Sequence, residues 1–358
     1  MGSVFGKKIK ISLFGESHGA GLGVVIDNFP CGVKIDFDEI KREMARRRPG
    51  GKFATKRNEA DGFEALSGIY NDTTTGAPIC AIIRNTDTHS KDYGMFRDIP
   101  RPSHSDYPAH VKFKGFNDIR GGGHFSARVT APLVFAGALA KQALKPYGIT
   151  VGAHIYKIKD IYDTPFSLTE NNEYEKISYK DFPVISDESG EKMKAVIENA
   201  RTKLDSVGGI VECGIYGFPA GIGDPFFDSV ESVISHMMFS VPAVKGIEFG
   251  DGFGVTDKYG SQNNDRYLEK DGKITTVTNN AGGICGGIST GMPIVFRLAF
   301  KPTPSIYKEQ NTLNIKTHEN TQLKIEGRHD PCVAVRGVPV TEAAAAICAL
   351  QLIYDNKD

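Results

Sequence analysis

The sequence contains no tryptophan, and its six cysteines are isolated at positions 31, 80, 213, 285, 332 and 348. No CxxC pair occurs among them, which excludes the usual zinc spacings and a small disulfide scaffold. Reduced thiols in a cytoplasmic protein are the simplest interpretation of scattered cysteines in a chain of this length.

The chain also lacks an excess of charge of either sign, because 43 Lys and Arg residues balance 43 Asp and Glu residues. Nucleic-acid-binding proteins usually carry a basic excess, so we expect no nucleic-acid partner. The N-terminal residues lack the apolar run and cleavage site of a signal peptide. No stretch approaches the roughly 20 consecutive apolar residues of a membrane helix, so we expect no membrane partner.

Local patterns predict several secondary-structure elements. The alternation in IKISLFGES predicts a strand that ends at Gly15. IDFDEIKREMARRRPG predicts a helix with Asp36 as its N-cap and Glu39 completing a capping box. TAPLVFAGALAKQALKPYG predicts an apolar helix capped by Thr130. EKMKAVIENARTKLDSVGG predicts a helix whose buried stripe ends at Leu204.

The remaining elements set the fold class. APICAIIRNTD, GIVECGIYGFP and GMPIVFRLAFKP predict strands, and VTEAAAAICALQLIYDN predicts a closing helix. Helices and strands are mixed without a βαβ rhythm, which favours an α+β fold over a doubly wound sheet. No Pro/Ser-rich linker divides the chain, so we expect one domain over residues 1–358, with a polar surface insertion around residues 157–190.

Three glycine-rich stretches invite a nucleotide-binding interpretation. GAGLGV (19–24) and GDGFGV (250–255) both lack the third glycine of the dinucleotide fingerprint. RGGGHFSAR (120–128) differs, because three consecutive glycines let the backbone approach an anion just before a helix N-terminus. A plain glycine turn is an equally good interpretation of that stretch.

Two reactive clusters leave their chemistry open. GRHDPC places Arg328, His329, Asp330 and Cys332 within five positions. A metal site, a nucleophile with its base and a phosphate-binding turn are all possible there, although no paired-histidine spacing supports a metal. Cys332 is interpreted as a buried thiol. The basic run ARRRPGGK is either a solvated helix end or an anion clamp.

Several segments are informative because they occur together in one order: FGESHGAGLGVVID, RRRPG, RNTDTHSKDY, RPSHSDY, RGGGHFSAR, GIGDPFFDSVESVISHMMFSVPAVKGIEFGDGF, NNAGGICGGISTGMPI, FKPTPSI and GRHDPCVAVRGVPVTEA. The ordered set closely resembles the chorismate synthase family, from about Phe14 to the final helix. The resemblance implies a single-domain β-α-β sandwich, usually a homotetramer. It also implies a 1,4-anti elimination of phosphate from 5-enolpyruvylshikimate-3-phosphate, which gives chorismate in the shikimate pathway. The cofactor it implies is reduced FMN, used without net redox change, with NADPH possible only as the reductant of the flavin.

The resemblance further implies roles for individual residues. His18 is similar to the acid near the departing phosphate, and His104 to the residue that protonates or orients the flavin. Asp330 is similar to the aspartate that works with the flavin in removing the ring proton. The implied catalytic set is completed by Ser17 and Ser126. The implied substrate contacts are Arg47, Arg48 and Arg336. The implied flavin contacts are His124, Phe125, Ser126, Pro242, Ala243, Gly286, Lys301, Pro302, Thr303, Pro304, Ser305 and Arg328.

The sequence departs from the family pattern at three places, and two rival functions stay open. The usual HADYT of the family reads HSDYP here, which keeps His104 and Asp106 but changes their neighbours. His124-Phe125 stands where the family often has Arg-Ser, so one cationic flavin contact is implied to be titratable or lost. Lys52-Phe53 replaces a pair linked to NADPH contact, which puts a nicotinamide contact in doubt. The rivals are a metal-dependent phosphatase or lyase built on the histidines and Asp330, and a non-catalytic FMN-binding module.

Overall fold

A computed structural model describes residues 2–48, 61–85, 90–166, 176–325 and 330–356. Its α-helices are α1 (Phe37–Arg47), α2 (Asp106–Lys112), α3 (Thr130–Leu144), α4 (Asp187–Thr202), α5 (Val230–Met238), α6 (Gly260–Asn263) and α7 (Ala334–Asp355). Its strands are β1 (Val4–Phe5), β2 (Lys10–Gly15), β3 (Gly21–Asp27), β4 (Phe63–Ser67), β5 (Ile69–Tyr70), β6 (Thr73–Thr74), β7 (Ile79–Arg84), β8 (Thr150–Ile158), β9 (Ile161–Tyr162), β10 (Gly209–Tyr216), β11 (Val244–Phe249), β12 (Tyr267–Lys270), β13 (Lys273–Thr276), β14 (Ile284–Cys285), β15 (Ile288–Ser289), β16 (Ile294–Phe300), β17 (Gln310–Asn314) and β18 (Glu319–Leu323).

Two five-stranded sheets enclose a layer of helices. The first sheet has the strand order β1-β2-β3-β7-β4, and the second has the order β11-β16-β10-β8-β9. Neighbouring strands are antiparallel in both sheets. α3 packs on β3 and β7, α7 packs on β8 and β10, and the two helices pack on each other. This arrangement confirms the α+β fold and the β-α-β sandwich expected from the sequence.

The N-terminal end of α1 follows from its sequence. The Asp36 carboxylate accepts hydrogen bonds from the backbone N–H groups of Asp38 (2.9 Å) and Glu39 (3.1 Å), as a helix N-cap should. Met44, on the apolar face, is fully buried. The predicted capping box is wrong, because the backbone N–H of Asp36 donates to Oε1 of Gln142 at 2.7 Å and the Glu39 carboxylate binds Lys145 at 2.6 Å.

Two predicted helix boundaries are wrong in detail. Thr130 is the first helical residue of α3 rather than its cap, and its hydroxyl donates to the carbonyl of Ala127 at 2.6 Å. Leu204 lies beyond the end of α4 with a positive φ of 59°. Its side chain is 51% exposed, so the buried stripe of α4 ends at Ala200.

The closing helix is longer than predicted, because α7 begins at Ala334 and runs for 22 residues. By length and composition it could cross a membrane, so the expectation that no segment approaches that length is wrong. However, 94% of its most apolar stretch is buried inside the protein, where it forms the core between the two sheets. Burial on all sides explains why this helix is apolar around its whole circumference.

The polar insertion around 157–190 is anchored by a buried histidine. His154 on β8 lies between Asp163 (Nδ1 to Oδ2, 2.9 Å) and Glu212 (Nε2 to Oε2, 3.0 Å). Asp163 also accepts hydrogen bonds from the backbone N–H groups of Ile185 and Ser186, which lie just before α4. The described part of the insertion is therefore fastened to the second sheet at both of its ends.

Candidate active site

A cavity of about 670 Å³ lies where strands of the two sheets approach each other. β1 and β2 of the first sheet and β11 of the second contribute to its wall, together with the glycine-rich turn and the start of α7. The predicted site residues that line it are His104, His124, Phe125, Ser126, Pro242, Ala243, Lys301, Thr303, Pro304, Ser305, Asp330 and Arg336. The fold thus gathers in one place side chains that are widely separated in the sequence.

The glycine turn lies between three of the predicted catalytic side chains. Gly121 and Gly122 have φ angles of 60° and 84°, which other residues rarely adopt. A Cβ at Gly121 would lie 2.4 Å from Cδ2 of His18 and 2.7 Å from Oγ of Ser17. A Cβ at Gly122 would lie 3.6 Å from Nε2 of His104. Ser17 and His18 are buried against Gly121, which lines the cavity, but neither of the two is itself among the lining residues. The glycines leave the space that these side chains and the His104 ring need.

His104 is held by a buried ion pair. Its Nδ1 lies 2.7 Å from Oδ1 of Asp106, and Arg101 binds the same carboxylate through Nε and Nη2, each at 2.7 Å. Because the Asp106 carboxylate accepts, Nδ1–H donates to it, which leaves Nε2 as the acceptor atom of the ring. Burial lowers the pKa of His104, and the hydrogen bond to Asp106 offsets this only in part. The lowered pKa favours the neutral imidazole in the free protein, and the bound anions of a ligand would raise the pKa again.

His124 is occupied by contacts within the protein. Its Nδ1–H donates to the carbonyl of Gly15 at 2.8 Å, and its Nε2 accepts from the hydroxyl of Ser3 at 3.1 Å. Together these contacts fasten the glycine turn to β2 and to the residue before β1. The histidine that replaces the usual arginine thus has a structural role in addition to lining the cavity.

Asp330 and Arg336 form an ion pair at the cavity wall. Nη1 of Arg336 donates to Oδ2 of Asp330 at 2.7 Å, and its Nε donates to the carbonyl of Arg47 at 3.0 Å. Cys332 is only 1% exposed, and burial raises the pKa of its thiol to about 12. The prediction that Cys332 is a buried thiol is confirmed. Arg328 and His329, from the same stretch of sequence, lie outside the described residues.

Arg46 and Arg47, the last two residues of α1, and Arg48, which follows them, have different surroundings. Arg46 binds Glu342 through both terminal nitrogens at 2.7 Å, in a buried cluster that stabilises the helix layer. Arg47 is 1% exposed and donates to Asp61. Arg48 is half-buried, and its Nε has no hydrogen-bond partner among the described residues. None of the three is among the described residues that line the cavity, so substrate contacts of Arg47 and Arg48 stay predictions.

Asp61 and Arg128 are two features of the site that the sequence interpretation missed. Arg128 lines the cavity, and it shares the buried carboxylate of Asp61 with Arg47. Its Nε also donates to the side-chain carbonyl of Asn85 at 3.4 Å. The sequence feature that could have revealed Arg128 is the RGGGHFSAR motif, because Arg128 lies there next to predicted flavin contacts.

Ala243 and Lys301 also line the cavity. Ala243 has a φ of 75°, and its carbonyl accepts a hydrogen bond from the backbone N–H of Lys301 at 2.9 Å. Pro302 is exposed and does not line the cavity. Gly286 lies in the turn between β14 and β15, also away from the lining residues. The flavin contacts assigned to Pro302 and Gly286 therefore stay predictions.

Replacing Ala243 with glycine is expected to stabilise the protein by about 0.5–1 kcal/mol. The left-handed backbone costs a non-glycine residue about 1–2 kcal/mol, and the greater freedom of glycine in the unfolded chain cancels part of the gain. Denaturant unfolding measures the change. Ala45→Gly in α1 is the control, because glycine within a helix should cost about 1 kcal/mol. Equal losses in both variants would mean that the backbone at Ala243 is not strained.

Comparison with known proteins gives one family throughout. The family model described as chorismate synthase matches residues 9–354. The chain is 44% identical over 344 residues to the chorismate synthase of Thermococcus kodakarensis, which covers 95% of this chain and 94% of that relative. It is 46% identical over 343 residues to the chorismate synthase of Chitinophaga pinensis, with 96% and 94% covered. A crystal structure of chorismate synthase matches with a TM-score of 0.77 at 26% identity, over 98% of this chain and 93% of the other.

Proposed function

Because the chain belongs to the chorismate synthase family, we propose that its cavity binds 5-enolpyruvylshikimate-3-phosphate together with reduced FMN. The chain is a lyase of the shikimate pathway that forms chorismate. The reaction removes phosphate from one ring carbon and a hydrogen from another by 1,4-anti elimination, without net redox change. A bound reduced flavin would supply an electron that lets the unactivated phosphate leave, and it would regain that electron when the ring hydrogen departs.

The cavity fits a flavin in size and in chemistry. Its volume of about 670 Å³ lies within the roughly 300–1,000 Å³ of most small-molecule sites. Phe125, Pro242 and Ala243 offer apolar surface for a ring system, and Lys301 offers a cation for its phosphate. These residues, with Ser126 and Thr303 to Ser305, are the proposed cofactor contacts, and Arg328 joins them on the family resemblance alone.

The anions of the substrate are assigned to arginines that line the cavity or lie beside it. The substrate carries a phosphate and two carboxylates, and guanidinium groups bind such oxygens in pairs. Arg336 and Arg128 line the cavity and can reach a ligand there. Arg47 supports Arg336 through its carbonyl, and Arg48 is a proposed additional contact.

Three side chains are proposed to move or hold protons. His18, packed against Gly121, gives a proton to the departing phosphate. His104 presents Nε2 to the cofactor and is held in one orientation by Asp106. Asp330 accepts the proton that leaves the substrate ring, while Ser17 and Ser126 hold the ligands near these groups.

The observation that carries this proposal is the convergence of His104, Ser126, Asp330 and Arg336 on one cavity. A non-catalytic FMN-binding module would need no general base such as Asp330 beside its cofactor, so this convergence argues against that alternative function. Among the described residues, no three His, Cys, Asp or Glu side chains are grouped as metal ligands would be. A chelator therefore should not inhibit the enzyme.

We also propose a homotetramer in the cytoplasm, with the chain folded as one domain. Exposed aromatic side chains support subunit contacts, because Phe226, Phe227, Phe253 and Tyr259 are 86%, 90%, 81% and 80% exposed. Apolar surface of this kind commonly marks protein–protein contacts. NADPH is proposed only as a reductant of the flavin, and Lys52 and Phe53, which bear on its contact, lie outside the described residues.

Oxidised FMN is expected to bind about tenfold more tightly, or better, when the substrate is present. Both ligands would share one cavity wall and its cations, and coupling of this kind is typically 5- to 150-fold. Titration of FMN followed by flavin fluorescence, with and without saturating substrate, measures the ratio. Inorganic phosphate at the same ionic strength is the control. Equal FMN affinities under all conditions would contradict a shared cavity.

A further inference from the structure

Lys245 occupies a β-bulge at the start of β11. Val244 pairs with Phe300 of β16 and Gly246 pairs with Ala299, so Lys245 is the extra residue without a partner in the ladder. Bulges of this kind turn a side chain away from its regular direction and recur beside active sites. Lys245 is exposed and is one of the residues that line the cavity.

The backbone before the bulge is tied to Lys301. Ala243 has the left-handed φ of 75°, and its carbonyl accepts the backbone N–H of Lys301 at 2.9 Å. This contact places the two lysines on one wall of the cavity, each adjacent to a residue proposed to contact the flavin. Lysines on edge strands often serve only to prevent aggregation. That role would not require Lys245 to lie in a bulge or at the wall of a cavity.

The two ammonium groups have no carboxylate partner among the described residues. Nζ of Lys301 donates to the carbonyl and, at 3.5 Å, to the hydroxyl of Ser103. The pKa of Lys301 is lowered, first by burial and then by the charge of Lys245, so the two cations are close enough to repel each other. Among the described residues that line the cavity, the one carboxylate is that of Asp330, and it is bound to Arg336. A doubly charged anion between the lysines would satisfy both.

We propose that Lys245 and Lys301 together bind the terminal phosphate of the flavin. The inference rests on the proposed function, and it adds Lys245 to the contacts implied by the resemblance. Of the arginines that line the cavity, Arg128 is bound to Asp61, Arg336 to Asp330 and Arg101 to Asp106, which leaves this lysine pair for the cofactor. Lys245 would thereby determine the preference of the site for FMN over riboflavin, which has the same ring system and no phosphate.

Binding of FMN and riboflavin to Lys245→Met tests the proposal. Methionine keeps the length of the side chain and removes its charge. In the presence of substrate, FMN binding measured by flavin fluorescence should weaken about tenfold to a hundredfold, the usual strength of a hydrogen bond to a charged group. Riboflavin binding should not change. Lys270→Met, at an exposed position of β12 outside the cavity, should leave both affinities unchanged.

The alternative outcomes are separable. Equal weakening of FMN and riboflavin, or no weakening of either, would overturn the phosphate assignment. Weaker binding of the substrate alone, measured by calorimetry without flavin, would overturn it in favour of the phosphate of the substrate. A wild-type protein that binds neither flavin would instead refute the proposed cofactor, and the lysine assignment with it.

Discussion

Replacing Asp330 with asparagine is expected to lower the turnover number by a factor of about 100 to 10,000, the contribution of a positioned general base. Asp330 lines the cavity, and its Oδ2 accepts a hydrogen bond from Arg336 at 2.7 Å. Asparagine has the same size and keeps an oxygen that Arg336 can bind, but it cannot take up a proton at neutral pH. Substrate affinity should change little, because arginines hold the anionic groups.

Turnover, substrate affinity and melting temperature should be measured on one preparation of the Asp330→Asn protein. Asp205→Asn is a matched control, because Asp205 also pairs with a cation, Lys308 at 2.7 Å, but lies outside the cavity lining. Its turnover should stay normal. An Asp330→Asn protein that melts early yet turns over normally would make Asp330 a scaffold residue and not a base.

Replacing Asp61 with asparagine is expected to lower the free energy of unfolding by about 3–5 kcal/mol, the usual cost of removing one partner from a buried ion pair. The side chain of Asp61 is completely buried and binds both Arg47 and Arg128. Asparagine would leave two buried guanidinium groups without a counter-charge. Because Arg128 lines the cavity, substrate affinity should fall as well in the fraction that folds.

Thermal unfolding measures the loss. With an unfolding entropy of about 2.1 cal/mol/K per residue and 358 residues, the melting temperature should fall by about 4–7 °C. Glu198→Gln is the control, because it breaks an exposed pair with Arg201, and such pairs contribute less than about 1 kcal/mol. If Asp61→Asn melted no lower than this control, the carboxylate would not be neutralising the two arginines.

Features that depend on neighbouring residues were predictable from the sequence. The cap of α1 depends on Asp36 and the residues that directly follow it, and the structure confirms it. The strand ending at Gly15 is confirmed for the same reason, because its alternation is a local pattern. The expected position of the glycine turn before α3 also holds, since three consecutive glycines accept backbone angles that other residues avoid.

Features that depend on tertiary pairing were not predictable. Asp61 is separated from Arg47 by 14 positions and from Arg128 by 67, so no spacing rule connects them. The bulge at Lys245 exists only because β11 and β16 pair in one particular register. The start of α7 at Ala334 was not predictable, because the stretch VAVRGVPV contains β-branched residues and Pro339, which have a weak preference for helix. Burial of this stretch in the core overrides that preference.

An anaerobic turnover assay tests the central claim most directly. Purified protein is mixed with 5-enolpyruvylshikimate-3-phosphate and reduced FMN in the presence of a chelator, while chorismate absorbance and free phosphate are followed together. We predict equal amounts of chorismate and phosphate, no product with oxidised FMN and no effect of the chelator. Release of phosphate without chorismate, or activity that disappears with the chelator, would contradict the account.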